Sequence, residues 1–318
     1  MAFQSEPITT TDVLNYVGEA FFYGQKFGKA PLLGLRGLLT GFKVATGTQF
    51  VMGNLITGDD PSQATQTEDA SIATMTDTNV GSADQKTNYL QQYRKTYTIS
   101  YAAQALAGAI SGVALLGGAQ TIMRAMPLQR EAQLKQFISD FEYSALYGTA
   151  QAWTNAATAG AMGGILTAIE AGSETAASGA TLSKTLIETE IARMAVAGAE
   201  FADTIIMGNV HQIQVLNSIY GNAIQSSSRG GLDIQTVQLP ILGESMVVYN
   251  PQMDTDHFAV IDMAHFSPVF GIVPGKPPVF TEPLAKIAAG DQEQLFSMIS
   301  VDYTDILYHG MITGLATS

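Results

Sequence analysis

The residues best placed to do chemistry are Asp254, Asp256, His257, Asp262 and His265, three carboxylates and two imidazoles in one short stretch. Brought to one point, they would offer oxygen and nitrogen ligands to a divalent cation of the kind a metal-dependent hydrolase uses. Their spacing follows no fixed ligand pattern. On a strand, residues of opposite parity face opposite sides, so His257 and His265 would align while Asp254, Asp256 and Asp262 stood apart. Polar strand ends therefore explain the group better than a metal centre. Trp153, the single tryptophan, could stack on a ligand, but among small neighbours it reads as packing or contact surface. The Gly160, Gly163 and Gly164 cluster lacks the Lys-Ser or Lys-Thr of a phosphate loop and reads as tight packing. No His-Glu-x-x-His and no Gly-x-Ser-x-Gly occurs, so a hydrolase has no sequence anchor. The absence of cysteine removes disulfides, thiol catalysis, Cys-ligated zinc and iron–sulfur clusters. No catalytic, cofactor-binding or metal-binding residue is expected.

The elements around these residues point elsewhere. With 318 residues, 46% hydrophobic and 14% charged, the chain has ample material for a core. A net charge of −13 opposes general attraction to phosphate backbones or anionic membranes. Met1 to Thr11 has neither a basic nor an apolar signal region, so no secretory signal is expected. The charge-free stretch between Lys95 and Arg124 is too rich in Ala, Gly and polar residues to read as a membrane span.

Charge is unevenly spread. Residues 1–56 carry +1, whereas residues 57–88 carry −5 through Asp59, Asp60, Glu68, Asp69, Asp77 and Asp84 against Lys86. This acidic tract has no aromatic residue and only scattered Ile72, Met75 and Val80, too little to order itself. The run could hold cations, though a solvated face is the usual meaning. Its length argues for an extended arm lying on another chain, since most connections are about 4 to 6 residues. Tyr89, Tyr93, Tyr97, Ile99 and Tyr101 then alternate with polar residues, which is strand periodicity.

Leu134, Phe137, Ile138, Phe141 and Ala145 fall on one helical face, predicting a helix from Pro127 to Gly148. Residues 154–180 are small and suit a loop or a close crossing of backbones. Helices are expected over 182–197 and 210–220, with strands over 204–207, 234–239, 245–249 and 258–262. The alternating tail, 280–313, is expected to return to a sheet in the first half.

This order of parts resembles the major capsid proteins of tailed bacteriophages with the Hong Kong 97-like fold. The resemblance is carried by Asn88-Tyr89-Leu90-Gln91-Gln92 through Tyr97-Thr98-Ile99-Ser100, and by Asp140-Phe141-Glu142 with Leu146-Tyr147-Gly148 at the end of the long helix. Gly163-Gly164-Ile165, Glu282-Pro283-Leu284-Ala285-Lys286, Gly290-Asp291 and His309-Gly310 continue it, from about Pro31 onward. It implies an α+β fold with an N-terminal arm (1–52), an extended β-hairpin loop (53–100), a peripheral domain with a long spine helix (101–160 and 264–318) and an α/β axial domain (161–263).

The function implied is a shell subunit, not an enzyme, that forms hexamers and pentamers of an icosahedral phage head around double-stranded DNA. Scaffold, decoration and portal proteins would be partners, with assembly in the host bacterial cytoplasm. No removable scaffolding segment is evident, so a separate scaffold is expected. Gly53, Gly58, Gly81, Gly160, Gly163 and Gly164 are hinge candidates for non-identical lattice positions. Some relatives cross-link a loop lysine to a neighbour's asparagine; Lys86 is the only lysine in the acidic tract, and no local pattern supports that bond. The weakly basic segment 1–56 is expected to touch a neighbouring subunit in preference to DNA. Alternatives are the related nanocompartment shell, a metal-dependent hydrolase built on Asp254, Asp256 and His257, and a secreted acidic adhesin.

Overall fold

A computed structural model describes residues 39, 41–57, 82–101, 118–155, 157–170, 174–199, 201, 203–221, 224–229, 232–239, 242–286, 289–304 and 306–317. Most of the expected N-terminal arm, the tip of the hairpin with Gly58 and Gly81, and residues 102–117 lie outside them. Among the described residues no helix is long and apolar enough to cross a membrane.

Among the described residues a five-stranded and a seven-stranded sheet are built around one long helix. The smaller sheet contains β1 (Lys43–Ala45), β4 (Gln91–Ser100), β11 (Ser267–Gly271), β12 (Val279–Pro283) and β13 (Gly290–Asp302). β13 pairs antiparallel with β4 over its first ten residues and with β12 and β11 in turn, while β1 closes the edge parallel to β11. Tyr93 and Tyr97 are buried while Arg94, Thr96, Thr98 and Ser100 are exposed, the alternation expected of β4. A two-stranded ribbon, β2 (Gln49–Thr57) with β3 (Ser82–Tyr89), leaves this body at the start of β4.

The long helix α1 runs from Gly118 to Tyr147. It passes through Pro127 instead of starting there, forgoing one backbone bond at that residue. Leu134, Phe137, Ile138, Phe141 and Ala145 are all buried, and Tyr93 meets Phe137 edge-on with ring centroids 5.3 Å apart. α2 (Ile165–Glu170) and β5 (Glu174–Ala176) lie in the small-residue stretch, which is therefore partly regular. Their apolar residues are too few to show a period.

The larger sheet has the order β5-β14-β10-β6-β9-β8-β7, with β6 (Thr204–Gly208), β7 (Ile224–Arg229), β8 (Leu232–Leu239), β9 (Gly243–Tyr249), β10 (Phe258–Asp262) and β14 (Gly310–Thr313). β6 pairs parallel with β9 and β14 parallel with β5; the other ladders are antiparallel. α3 (Lys184–Val196) and α4 (Val210–Tyr220) complete the lobe. Ser183 caps α3 by accepting the Leu186 N–H, and Gly198 adopts φ +91° just past its end, a conformation with no Cβ penalty. The tail does return to the smaller sheet through β13, but its last strand, β14, enters the larger one. Every residue of β6 and β10 is buried, because the sheet is packed on both faces. Ile205, Met207, Ala259, Ile261 and Met311 join α1 and the smaller sheet in one core; Ile206, Val260, Phe258 and Ile312 join Ile187, Ile191, Met194 and Leu216 in a second.

Glu190 of α3 is wholly buried beneath β14. Its carboxylate takes the Arg193 guanidinium at 2.6 and 3.0 Å, the Thr175 hydroxyl at 2.6 Å and the Met311 N–H at 3.2 Å. A Cβ on Gly310 would sit 2.3 Å from Glu190 Oε1 and 2.6 Å from Met194 Sδ, so the carboxylate occupies the space that glycine leaves. Gly310→Ala should lower subunit stability by about 1–3 kcal/mol in urea unfolding of unassembled protein. Gly208→Ala, whose Cβ would meet nothing closer than 3.5 Å, should cost much less; equal losses would show that the Glu190 fit is not what Gly310 serves.

Candidate assembly site at the root of the hairpin

β3 and β4 are one extended run in which Leu90 alone separates two ladders. Before Leu90 the run pairs with β2; after it, with β13. Leu90 is buried, gives its N–H to Thr48 O at 2.9 Å and takes the Trp153 indole N–H at 2.7 Å. Trp153 is therefore engaged in packing: it lies on Gly160, where a Cβ would fall 1.9 Å from its Nε1.

Asn88 is the pin of this root. Its side chain is fully buried, and its amide donates to Val301 O at 2.9 Å and Gly163 O at 3.1 Å. Its carbonyl accepts the Gly163 N–H and the Tyr89 N–H, both at 2.8 Å. Both amide hydrogens and both lone pairs of Asn88 are thereby used. The segment from Ala161 is held further by Gln91, whose side-chain oxygen takes the Met162 N–H at 3.2 Å. Gly148 and Gly164 meet backbone to backbone, the Gly164 N–H reaching Gly148 O at 2.8 Å, and a Cβ on Gly164 would lie 2.5 Å from Leu146 O.

The hinge expectation for Gly160, Gly163 and Gly164 is thus corrected: a pinned or overlaid glycine cannot rotate freely. Gly53 has a similar role, since a Cβ there would strike the Thr304 side chain at 2.7 Å. It follows a bulge at Met52, where the register shifts between Val51 opposite Thr87 and Gly53 opposite Lys86. The extra residue, Met52, is buried in the core shared with α1.

Further along β4, Tyr97 hydrogen-bonds Glu293 of β13, and Arg130 of α1 holds both Glu293 oxygens at 2.9 and 3.1 Å. Burial, with the Glu293 bond next, pushes the Tyr97 hydroxyl up to about 12. It stays a neutral donor. Lys95 pairs with Asp140 in a groove of about 580 Å³ between β4 and α1, whose lining includes Gln92, Gln136 and Ser139.

The chemically capable residues divide into two places. Asp254, Asp256 and His257 converge, their nearest ligand atoms within 4.8 Å of one another, because residues 251–257 form turns and not the strand that kept them apart by parity. His257 Nδ1 lies 3.1 Å from the Tyr147 hydroxyl, which accepts the Asp254 N–H at 2.9 Å. Asp254 is exposed, and the group meets the side chain of Tyr147, the last residue of α1. Asp262 and His265 stand at the far end of β10, about 16 Å along the strand at ~3.3 Å per residue. His265 does not align with His257; its Nδ1 is 3.1 Å from Asp262 Oδ2 and its ring stacks on Tyr308 at 4.1 Å. Two residues that sequence reasoning did not offer as chemical candidates, His309 and Glu190, are wholly buried, His309 against the Asp262 N–H and Glu190 against Gly310. The Gly310 next to His309 was the one available signal of such crowding.

A helix-braced sheet, a second sheet buried on both faces at its centre and a ribbon leaving the first at a fixed root define the Hong Kong 97-like capsid class. Solved structures share this fold. The cyanophage A-1(L) capsid subunit is 9% identical, with 100% of this chain and 96% of that one covered at a TM-score of 0.60. The satellite phage P4 procapsid chain is 12% identical over 99% and 94%, at 0.55. The SrpI encapsulin of Synechococcus elongatus PCC 7942 is 8% identical over 88% and 86%, at 0.53. Comparison with curated proteins returns no match. Within the capsid class, the model of the SU10 major capsid protein family matches residues 26–316. The chain belongs to that family and is a major capsid protein.

The root itself is testable. Asn88→Ala leaves the Gly163 peptide and the Val301 carbonyl without this partner, and should cost about 2–4 kcal/mol of subunit stability in urea unfolding. Asn88→Asp sets a carboxylate against two carbonyls and should be no better; a neutral result from both would remove Asn88 as the pin.

Proposed function

We propose that the chain assembles with copies of itself into hexameric and pentameric capsomers of an icosahedral head around double-stranded DNA, and that the β2–β3 ribbon is the element each subunit extends onto its neighbour. The observation that carries this reading is the root. Among the described strands β2 and β3 pair only with each other, so the ribbon's outer edges are left for another chain. Asn88 and Met52 fix the direction in which the ribbon leaves. The acidic tract it carries, −5 over residues 57–88, cannot build an interior of its own.

In this reading residues 1–52 are the arm, 53–100 the extended loop, 101–160 with 264–318 the peripheral part and 161–263 the axial part. Scaffold, decoration and portal proteins are its partners, and assembly takes place in the host bacterial cytoplasm. The net charge of −13 suits a wall along which DNA slides without sticking. The subunit is structural and not catalytic, a reading supported by Lys95 and Asp140, which neutralise each other in the groove, and by Asp262, which is engaged in internal hydrogen bonds. The encapsulin likeness is one of fold, and the family match favours the phage head.

Electron microscopy of the full chain, expressed alone and with its genomic neighbours, should show closed shells or capsomers. A compact solitary monomer under both conditions, with the ribbon protected from protease, would overturn the reading.

A further inference from the structure

Apart from the long route through α1, the chain passes between its two sheets at two short crossings. β10 leads into β11 through residues 263–266, and β13 leads into β14 through residues 303–309. The two crossings lie side by side. The Thr304 hydroxyl is 3.4 Å from His265 O, His265 stacks on Tyr308, and Phe266 meets His309 edge-on at 6.4 Å. His309, with no exposed surface, stands in the second crossing and bonds both to Tyr303 at the start of that crossing and to Asp262, the last residue of β10, from which the first crossing departs. Its Nδ1 accepts the Asp262 N–H at 3.2 Å, and its Nε2–H donates to Tyr303 O at 3.0 Å. A carbonyl can only accept and a backbone N–H can only donate, so the ring is fixed as the neutral Nε2–H tautomer.

We propose that His309 is a proton-operated latch: its neutral ring ties the second crossing to the end of β10 from which the first crossing departs, and its protonation releases them. A proton on Nδ1 would confront the Asp262 N–H with a second donor in a site closed to water, so that bond cannot survive it. The geometry alone supplies this incompatibility.

The charged and titratable groups around the ring set how readily the proton enters. Asp262, at the end of β10, favours it; its carboxylate is held by the Asp203 and Ala264 N–H groups at 3.3 and 3.1 Å and by His265. His265, when charged, opposes it. From α3, Arg193 gives a hydrogen bond to His309 O at 3.0 Å while its charge is met by Glu190. From its own segment Tyr303 meets the ring through its backbone carbonyl, while Tyr308 stacks on His265. Burial outweighs the rest and lowers the imidazole to about 4 from the ordinary 6.5. The latch therefore contributes in full above pH 6.5, and its contribution is lost as pH falls from 6.5 through about 4.

This goes beyond the shell reading and does not rest on it, because both crossings belong to one chain. Amide hydrogen exchange of the full chain, corrected for intrinsic rates, tests it. Between pH 6.5 and 4, peptides covering 258–266 and 303–311 should lose tenfold to about a hundredfold in protection. His309→Gln keeps a donor and an acceptor but cannot titrate, and should abolish most of that pH dependence while Asp262 and His265 remain. Unchanged protection in the natural chain would overturn the proposal, as would an equal loss in the variant. Should the variant not fold, exchange at the imidazole C2 hydrogens of the natural chain decides: His309 titrating below pH 5 supports the latch, and titration near 6.5 overturns it.

Discussion

The middle of the larger sheet, β6 and β10, has no wet face, and most of the architecture follows from that constraint. Ile205 and Ile206, neighbours on β6, are both fully buried and belong to different cores. A polar group near this sheet must then find its partners inside the protein. Glu142 meets Asn250, Glu190 meets Arg193 and Thr175, and Asp262 meets His265 and two backbone amides. Small residues follow from the same cause: Gly310 leaves room for one such carboxylate, and the backbones of Gly148 and Gly164 touch without side chains between them. The core containing α1 also contains one face of this sheet, so the two sheets are packed as one body.

Against this close packing the ribbon stands out as the part with the least of its own. Its inner end is fixed by polar bonds to Asn88 and by the buried Met52, while its two strands pair only with each other among the described residues. Specificity of direction and poverty of interior occur in the same element. A segment of that kind is suited to being completed by a neighbour, since its aim is settled before contact and little ordering remains to be done at the root.

Much of this was legible from residue pattern. The buried Tyr93 and Tyr97 with exposed Arg94 and Thr96 reproduce a two-residue period, and the buried set from Leu134 to Ala145 reproduces a helical one. Elements whose burial is one-sided announce themselves in this way. Other features gave no such signal. β7 is a polar edge strand with the sequence Ile224-Gln225-Ser226-Ser227-Ser228-Arg229, and nothing in its composition marks it as paired. Asp254, Asp256 and His257 come together because a turn replaces the assumed strand, and parity arguments do not apply to turns. Asn88 reads as an ordinary strand-start residue; its four hydrogen bonds include those to Gly163 and Val301, far along the chain. Gly53, Gly160, Gly163 and Gly164, chosen as pivots, prove to be contact points, because the same missing side chain permits rotation in the open and close approach in a crowd.

The bulge at Met52 has a consequence for how such proteins diverge. A two-stranded ribbon without a fixed residue can slide by one position and turn its whole inner row outward. Here the extra methionine sits in the shared core, and Thr304 fills the space beside Gly53, so the count of residues on each leg is set at the base. A change of length beyond Thr57 and Ser82 would therefore leave the alignment of the legs at the base unshifted. The same arrangement that aims the ribbon keeps its two legs in step from the base outward.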